Sequence, residues 1–269
     1  MRAKIIKTVL ILLGVLFVVI MLILPLATVL VYSLRQGFAT FISAITDVYA
    51  VKALNLTLQA TGITLIVNTF FGVFAAWAIT KFRFRGKQVL TTLIDIPFSI
   101  SPIIAGLVYI LVFGRIGWAY PLLEAWNVKI VFAVPGIVLA TIFVTFPFVS
   151  RELIPLMQAQ GSEEEEAAAL MGARGFRIFR KITFPHIKWG LLYGIILCTA
   201  RALGEFGAVS VVSGHLRGKT NTLPLHVEVL FNEFRLTAAF AVASILVVIA
   251  VVILVLRNIV EYRLKSEEG

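Results

Sequence analysis

Three ionisable side chains, Asp95, Arg201 and Glu205, fall inside long apolar runs of this chain. A charge at membrane depth is costly and by default serves a function. Arg201 and Glu205 are four residues apart, so on a helix they share a face and can pair. Asp95 is a second candidate partner for Arg201. A fixed cation beside a path would lower the barrier for an anion crossing a low-dielectric slab, and a carboxylate one turn away would keep that cation from trapping the ion. The competing reading is an ion pair that only holds helices in register. Just after Asp95 come Pro97, Phe98, Ser99, Ile100, Ser101 and Pro102, which a helix accommodates only with a kink or a break. Broken backbone in a membrane is tolerated where protein or water satisfies it. Such a place suits a gate, with Ser99 and Ser101 as hydroxyl donors to an anion, or else a packing kink.

The elements that must position these groups follow from composition. With 60% hydrophobic and 14% charged residues in 269 and a mean hydropathy of +1.00, the chain is excluded from ordinary soluble domains. Apolar runs near residues 9–34, 53–80, 89–113, 132–149, 191–213 and 237–256 each fit a spanning helix of about 20 residues, and no alternating segments of a membrane barrel are seen. The expected fold is all-α, a polytopic membrane protein of six transmembrane helices in one domain, 1–269. The first run is too long for a signal-peptide core of about 7 to 15 residues and reads as a retained span. Gly190 and Gly194 in the fifth run have the small-xxx-small spacing that lets helices approach closely.

Orientation follows from the basic residues. With the N-terminus inside, inner segments hold sixteen Lys and Arg, including Arg2, Lys81, Arg151, Arg174, Arg257 and Lys265, against seven in outer loops. The positive-inside rule then places both termini in the cytoplasm, and the net charge of +10 needs no nucleic acid to explain it. The lone cysteine, Cys198, allows no intramolecular disulfide, and histidines at 186, 215 and 226 form no metal-ligand cluster. Gly214 to Thr220 reads G-H-L-R-G-K-T, one residue short of the glycine spacing of a P-loop. The chain is thus expected to bind no nucleotide, metal or other cofactor, and an energy source must come from elsewhere.

One polar segment between spans is patterned throughout. Ser162 and Glu165 stand in the relation of a capping box. Glu163 to Glu166 then fill a first helical turn, where negative charge is favoured. Gly172 and Gly175 supply the exit. So short a helix needs outside packing, and Leu170, Met171 and Phe176 offer apolar contact amid Arg174, Arg177, Arg180 and Lys181. Pro185 is expected to mark the chain's return towards the bilayer. The bland alternative is a solvated surface helix.

The segment contains E-A-A-x3-G-x9-I-x-F-P, carried by Glu166, Ala167, Ala168, Gly172, Ile182, Phe184 and Pro185. It resembles the EAA loop of permease subunits in ATP-binding-cassette importers, with Phe184 where Leu is frequent. With I-P-F-S-I-S-P at 96–102, A-R-A-L-G-E-F-G-A-V-S-V-V-S-G at 200–214 and R-G-K-T-N-T-L-P-L-H-V-E at 217–228, the chain resembles the sulfate/thiosulfate importer permeases of the W type over almost its whole length. A-R-x-L-G-E-F-G is also similar to molybdate and tungstate permeases, which are the alternative substrate class. The resemblance implies a type I importer permease fold in the inner membrane, in contact with lipid, whose loop at about 152–189 couples to an ATPase. It further implies a T-type permease partner, two copies of a cytoplasmic ATPase that carries the ATP and magnesium, and an external sulfate-binding protein, with no enzymatic activity in this chain. An intramembrane enzyme using Glu205 or Asp95 is a weaker reading, because it lacks a convergent second group. The 214–235 loop is expected to face the binding protein, with Asn221 as a reporter position.

Overall fold

Proline decides where the apolar runs bend, and local backbone adjustment decides whether they break. The computed structural model describes residues 2–268; the side chains of Arg2 and Lys265, counted above among the inner charges, lie outside the described residues. In chain order the principal helices are α1 (Ile6–Leu34), α2 (Val48–Lys81), α3 (Lys87–Ser99), α4 (Pro102–Phe113), α5 (Val134–Gln160), α6 (Glu163–Leu170), α7 (Gly175–Leu203), α8 (Gly207–Val212), α9 (Leu223–Asn232) and α10 (Leu236–Glu268). Of these, α1, α2, α5, α7 and α10 are each long and apolar enough to cross a bilayer, and α3 with α4 makes a sixth, broken unit.

The third run therefore breaks. Between Pro97 and Pro102 the helix axis turns by 109°. Ile100 and Ser101 adopt extended backbone, ψ 133° at both, and Pro102 opens α4, where its missing amide removes no helical hydrogen bond. Elsewhere proline is absorbed. A π-helical turn at Phe179–Thr183 directly precedes Phe184 and Pro185, and a like turn at Val19–Ile23 precedes Pro25. The wider π turn accommodates a ring that would otherwise clash with the preceding turn. Pro185, expected to mark the return towards the bilayer because proline ends or kinks a helix, ends none here: α7 runs through it without a break.

The fifth run departs from expectation at its far end. Helix α7 stops at Leu203, with Gly204 as its C-cap, and the stretch expected to continue to residue 213 becomes a turn followed by the short α8. Its near end runs in the opposite sense, since α7 begins at Gly175.

Glycines set how closely these helices meet. A Cβ built on Gly72 would lie 2.8 Å from Val149 Cβ, one on Gly190 2.6 Å from Leu156 Cδ2, and one on Gly194 3.3 Å from Val149 Cα. Helices α2 and α7 are thereby seated on α5, around a core of Ala76, Val149, Leu153, Met157, Ile187 and Cys198. Gly106 does the same for α4 against α8, where an added Cβ would meet Ala208 O at 2.7 Å. In the centre, Asn68 Nδ2 donates to Thr145 Oγ1 at 2.8 Å, a buried polar tie between α2 and α5. The apolar window of α1 buries nothing within the chain.

Candidate functional site

The polar segment after α5 is held by three side chains from three elements. Glu165, on the first turn of α6, accepts a hydrogen bond from Thr183 Oγ1 at 2.6 Å and lies 3.2 Å from Lys81 Nζ at the end of α2. Lys81 also donates to the carbonyl of Gly161. The side chains of Lys81 and Glu165 are 7% and 13% exposed and Thr183 is buried. A carboxylate engaged by a buried ammonium is committed to it, because separating the pair would leave a charge unpaired in a poorly solvated place. The capping box expected of Ser162 and Glu165 consequently does not form. Ser162 makes no side-chain bond to the helix amides, and its Oγ donates instead to Glu166 Oε1 at 2.6 Å. Sequence reasoning missed Lys81, which reads there only as a loop charge, because no acidic residue stands near it in the chain and its partner Glu165 lies far downstream.

The clamp holds α6 so that its far end projects. Ala168 is buried, while Glu166, Ala167, Gly172 and Pro185 are exposed and Ile182 is half-buried. Leu170, Met171 and Phe176 are 91%, 84% and 77% exposed, an unusual state for large apolar side chains on an ordered segment. Gly172 has φ +84°, the left-handed conformation that ends the helix. Gly175 does not share in the exit; it is the first residue of the next helix.

The second group of sequence-predicted residues gathers around the α3/α4 break. Glu205 is buried and Arg201 Nη1 lies 2.6 Å from its Oε2. The alignment is too poor for a hydrogen bond at Oε2, so the contact is one of opposite charges. The two residues do not share a helical face, as their spacing had implied, because α7 has ended between them. Glu205 instead caps the next helix: its Oε1 accepts from the Ala208 amide at 2.8 Å. The turn it stabilises sits on the break, with Gly207 packed so tightly that an added Cβ would lie 3.0 Å from Pro102 Cβ. Ser99 and Ser101 are both exposed at the break. Asp95 is not a partner of Arg201. It lies 2.9 Å from Arg151 Nε on α5.

At the end of the bundle opposite α6, the segment expected to be an open loop is largely internal. Thr220, Asn221 and Thr222 are 4%, 2% and 4% exposed. Leu216 and Thr220 close the loop on itself, with the Leu216 amide donating to Thr220 Oγ1 and the Thr220 and Asn221 amides donating to Leu216 O. The first amide of α9, at Leu223, donates to Thr57 Oγ1 on α2 at 2.7 Å. Asn221 is thus no surface reporter; Arg217, which pairs with Glu233, and Phe234, 89% exposed, take the outward positions. Burial lowers the pKa of His226 on α9 below its ordinary 6.5, with Arg217 and Arg235 acting in the same sense and Asp47 and Glu233 opposing. Among the described residues no group of three or more His, Cys, Asp or Glu could hold a metal ion.

Residues 68–266 match the family described as "Binding-protein-dependent transport system inner membrane component". A protein of Synechocystis sp. named "Sulfate transport system permease protein CysW" is 45% identical over 96% of this chain and 94% of its own length. One of Salmonella typhimurium named "Sulfate transport system permease protein CysT" is 34% identical over 92% and 90%. A solved chain from the crystal structure of a bacterial alginate ABC transporter, in complex with its alginate pentasaccharide-bound periplasmic protein, superposes over 97% of this chain and 96% of that one. Its TM-score is 0.81 at 17% identity, which speaks to the fold alone.

Proposed function

Because this chain belongs to the family of binding-protein-dependent transport system inner membrane components, we propose that it is the sulfate-conducting permease subunit of an ATP-driven importer, coupled to its ATPase through α6. It is a permease and not an enzyme, as its family and the relatives named as permeases have it; Asp95 and Glu205, the candidates for acid–base chemistry, are each engaged by an arginine. Sulfate comes from the likeness to relatives that bear that name; no observation favours molybdate or tungstate.

The observation that carries the coupling role is the contrast within one short segment. Its base is clamped into the bundle by Lys81, Glu165 and Thr183, while Leu170, Met171 and Phe176 stand bare at its tip. A rigidly mounted apolar tip transmits force to whatever covers it. In this reading Glu166, Ala167, Ala168, Gly172, Ile182 and Pro185 form the docking loop, within about 152–189 of a single permease unit. The occupant is a cytoplasmic ATPase, present in two copies, which carries the ATP and magnesium. A T-type permease completes the passage, an external sulfate-binding protein delivers the ion to the opposite end, and both termini lie in the cytoplasm of a cell bounded by this inner membrane. Ser99, Ser101, Arg201 and Glu205 line or brace the passage at the helix break.

The test is uptake of radiolabelled sulfate by a sulfate-permease-deficient strain given this chain with its partner subunits. Restored uptake, with ATP hydrolysis stimulated by the binding protein, is the expected result. Uptake of molybdate or tungstate without sulfate would overturn the substrate, and hydrolysis that never responds to the binding protein would overturn the coupling.

A further inference from the structure

Resting on the reading of this chain as an anion permease, we propose that Arg151 and Asp95 form a second, exchangeable anion station on the passage, nearer the α6 end than Arg201. Nothing in the sequence motifs points to Arg151, which reads there as one more loop charge.

The depth of the pair follows from helix geometry. At about 1.5 Å per residue, Asp95 lies about 12 Å along α3 from Lys87 and Arg151 about 14 Å along α5 from Gln160. The start of α3 and the end of α5 lie at the same end of the bundle, since Lys81, at the end of α2, reaches the Gly161 carbonyl. The ion pair is thus set between about two and three helical turns in from that end of the bundle. Arg201 stands farther in. The antiparallel pairing of α7 with α5 places Gly194 on Val149 and Cys198 Sγ 3.7 Å from the Thr145 carbonyl, so Arg201 is level with about residue 142. That is roughly 14 Å beyond Arg151 at the same helical rise. The two arginines flank the α3/α4 break, Arg151 from the α3 side and Arg201 from the last turn of α7, through Glu205 on the turn whose Gly207 packs on Pro102.

The two pairs differ in whether the carboxylate is free to leave. Glu205 is 1% exposed at its side chain and is also bound to the Ala208 amide, so releasing Arg201 would strand a buried charge. Arg151 and Asp95 are 54% and 38% exposed at their side chains. Their contact runs through Nε, the edge of the guanidinium, and a guanidinium carries further Nη donors in a fixed fork suited to an oxyanion. The guanidinium carbon lies 4.7 Å from the Phe98 ring centroid, and Phe98 rests on Phe148 at 5.3 Å. The cation is therefore held in place from one side by an aromatic face, independently of Asp95.

A half-exposed ion pair at this depth cannot face lipid without a large cost; its open side meets either water or protein. Ser99 lies one turn beyond Asp95, and it, Ser101 and Phe98 are exposed along the same stretch, so the open side continues into the break. Conduction of an ion requires sites weak enough to leave and repeated enough to follow. Arg151 provides such a site when the incoming dianion displaces Asp95, and Asp95 restores neutrality when the ion moves on.

The experiment uses the assembled transporter in proteoliposomes with Ser99→Cys as a reporter, since Cys198 is fully buried. Reaction rates with an anionic and a cationic methanethiosulfonate are compared. The expected result is labelling that favours the anionic reagent, a preference reduced about tenfold by Arg151→Gln and increased by Asp95→Asn, with sulfate uptake lost in Arg151→Gln. The double variant Asp95→Arg with Arg151→Asp is expected to assemble without transporting. Restored uptake in that double variant would reduce the pair to a structural tie and overturn the proposal, as would a reporter thiol in Ser99→Cys that neither reagent reaches, which would place the pair against the second permease. Anionic preference that depends on Arg151, in a transporter that carries another oxyanion and not sulfate, would keep the station and overturn the substrate reading alone.

Discussion

The two polar segments at opposite ends of the bundle use their side chains in opposite ways. Residues 162–176 keep one ionic group inside, Glu165 with Lys81, and turn Leu170, Met171 and Phe176 outward. Residues 214–222 turn Arg217 outward and keep Thr220, Asn221 and Thr222 inside. The difference lies in what each must satisfy. The first is a helix whose amides bond within itself, so its side chains are free to serve a partner. The second is irregular backbone leading into the buried start of α9, and its polar groups are drawn inward to meet amides such as that of Leu223. Polarity in a membrane protein's loop thus says little about exposure until the backbone's own bonds are counted.

The largest effect on assembly with a partner should come from removing the outward apolar tip. Leu170→Asp or Met171→Asp leaves every bond within the chain untouched, yet truncation or charging of a central anchor typically costs an interface about 2 kcal/mol or more, near thirtyfold in affinity. Co-purification of the ATPase with the permease should fall accordingly, while the permease itself remains monodisperse in detergent. An unchanged yield of ATPase would mean that the tip is merely solvated.

The largest effect on coupling, with assembly kept, should come from the mount beneath the tip. Lys81→Met deprives Glu165 of its cation in a place that is 13% exposed, and breaking a buried pair by removing one partner costs about 3–5 kcal/mol. Helix α6 should then detach from α2 while its tip still binds. The expected phenotype is ATP hydrolysis that no longer drives uptake, accompanied by faster amide exchange over 161–170. Lys81→Met with Glu165→Leu should recover the slow exchange. Full uptake in Lys81→Met alone would show that the coupling does not pass through this contact.

How much of this was legible beforehand depends on the range of the interaction. The spans were readable because a bilayer demands long apolar runs, and the patterned segment at 162–185 because its motif residues lie close together in sequence. The break at Ile100–Ser101 was readable from two prolines. Its counterpart at Gly204 was not, because one glycine among A-R-A-L-G-E-F-G reads equally well as a packing site. Arg201 and Glu205 were paired correctly but for the wrong geometry, since the spacing fits a continuous helix that in fact ends between them. Asp95 with Arg151, and Lys81 with Glu165, join residues far apart in the chain, and one sequence carries no signal that pairs them.

The opposite end offers a smaller but cleaner measurement. Thr57→Val keeps shape and volume close to the original but removes the acceptor for the Leu223 amide, both residues being buried. Leaving a buried donor unsatisfied costs about 1–3 kcal/mol, so thermal unfolding in detergent should shift downward without altering ATPase binding at the far end. Concurrently, Arg217→Cys should react freely with a maleimide and Asn221→Cys slowly, and Thr57→Val should narrow that difference by loosening the loop.

The smallest effect is a dependence on pH confined to the same end. His226 is 3% exposed, and burial lowers its pKa below the ordinary 6.5. Around it, Arg217 and Arg235 add to the lowering, whereas Asp47 and Glu233 oppose it. When the loop and α9 open, the imidazole regains its ordinary value, so below pH 6.5 the open form binds a proton that the closed form does not. The stability of the closed form is therefore complete above pH 6.5 and falls as pH drops through the window between that value and the lower one of the folded state. Amide exchange over 220–232, corrected for the intrinsic rate, should accelerate between about pH 7.5 and about pH 5.5, while exchange over 163–170 should not. His226→Gln, which does not titrate, should abolish the difference between the two ends. Equal acceleration at both ends in the unmodified chain would assign the effect to a global loosening, and the contrast in how the two segments are held would then lose its support.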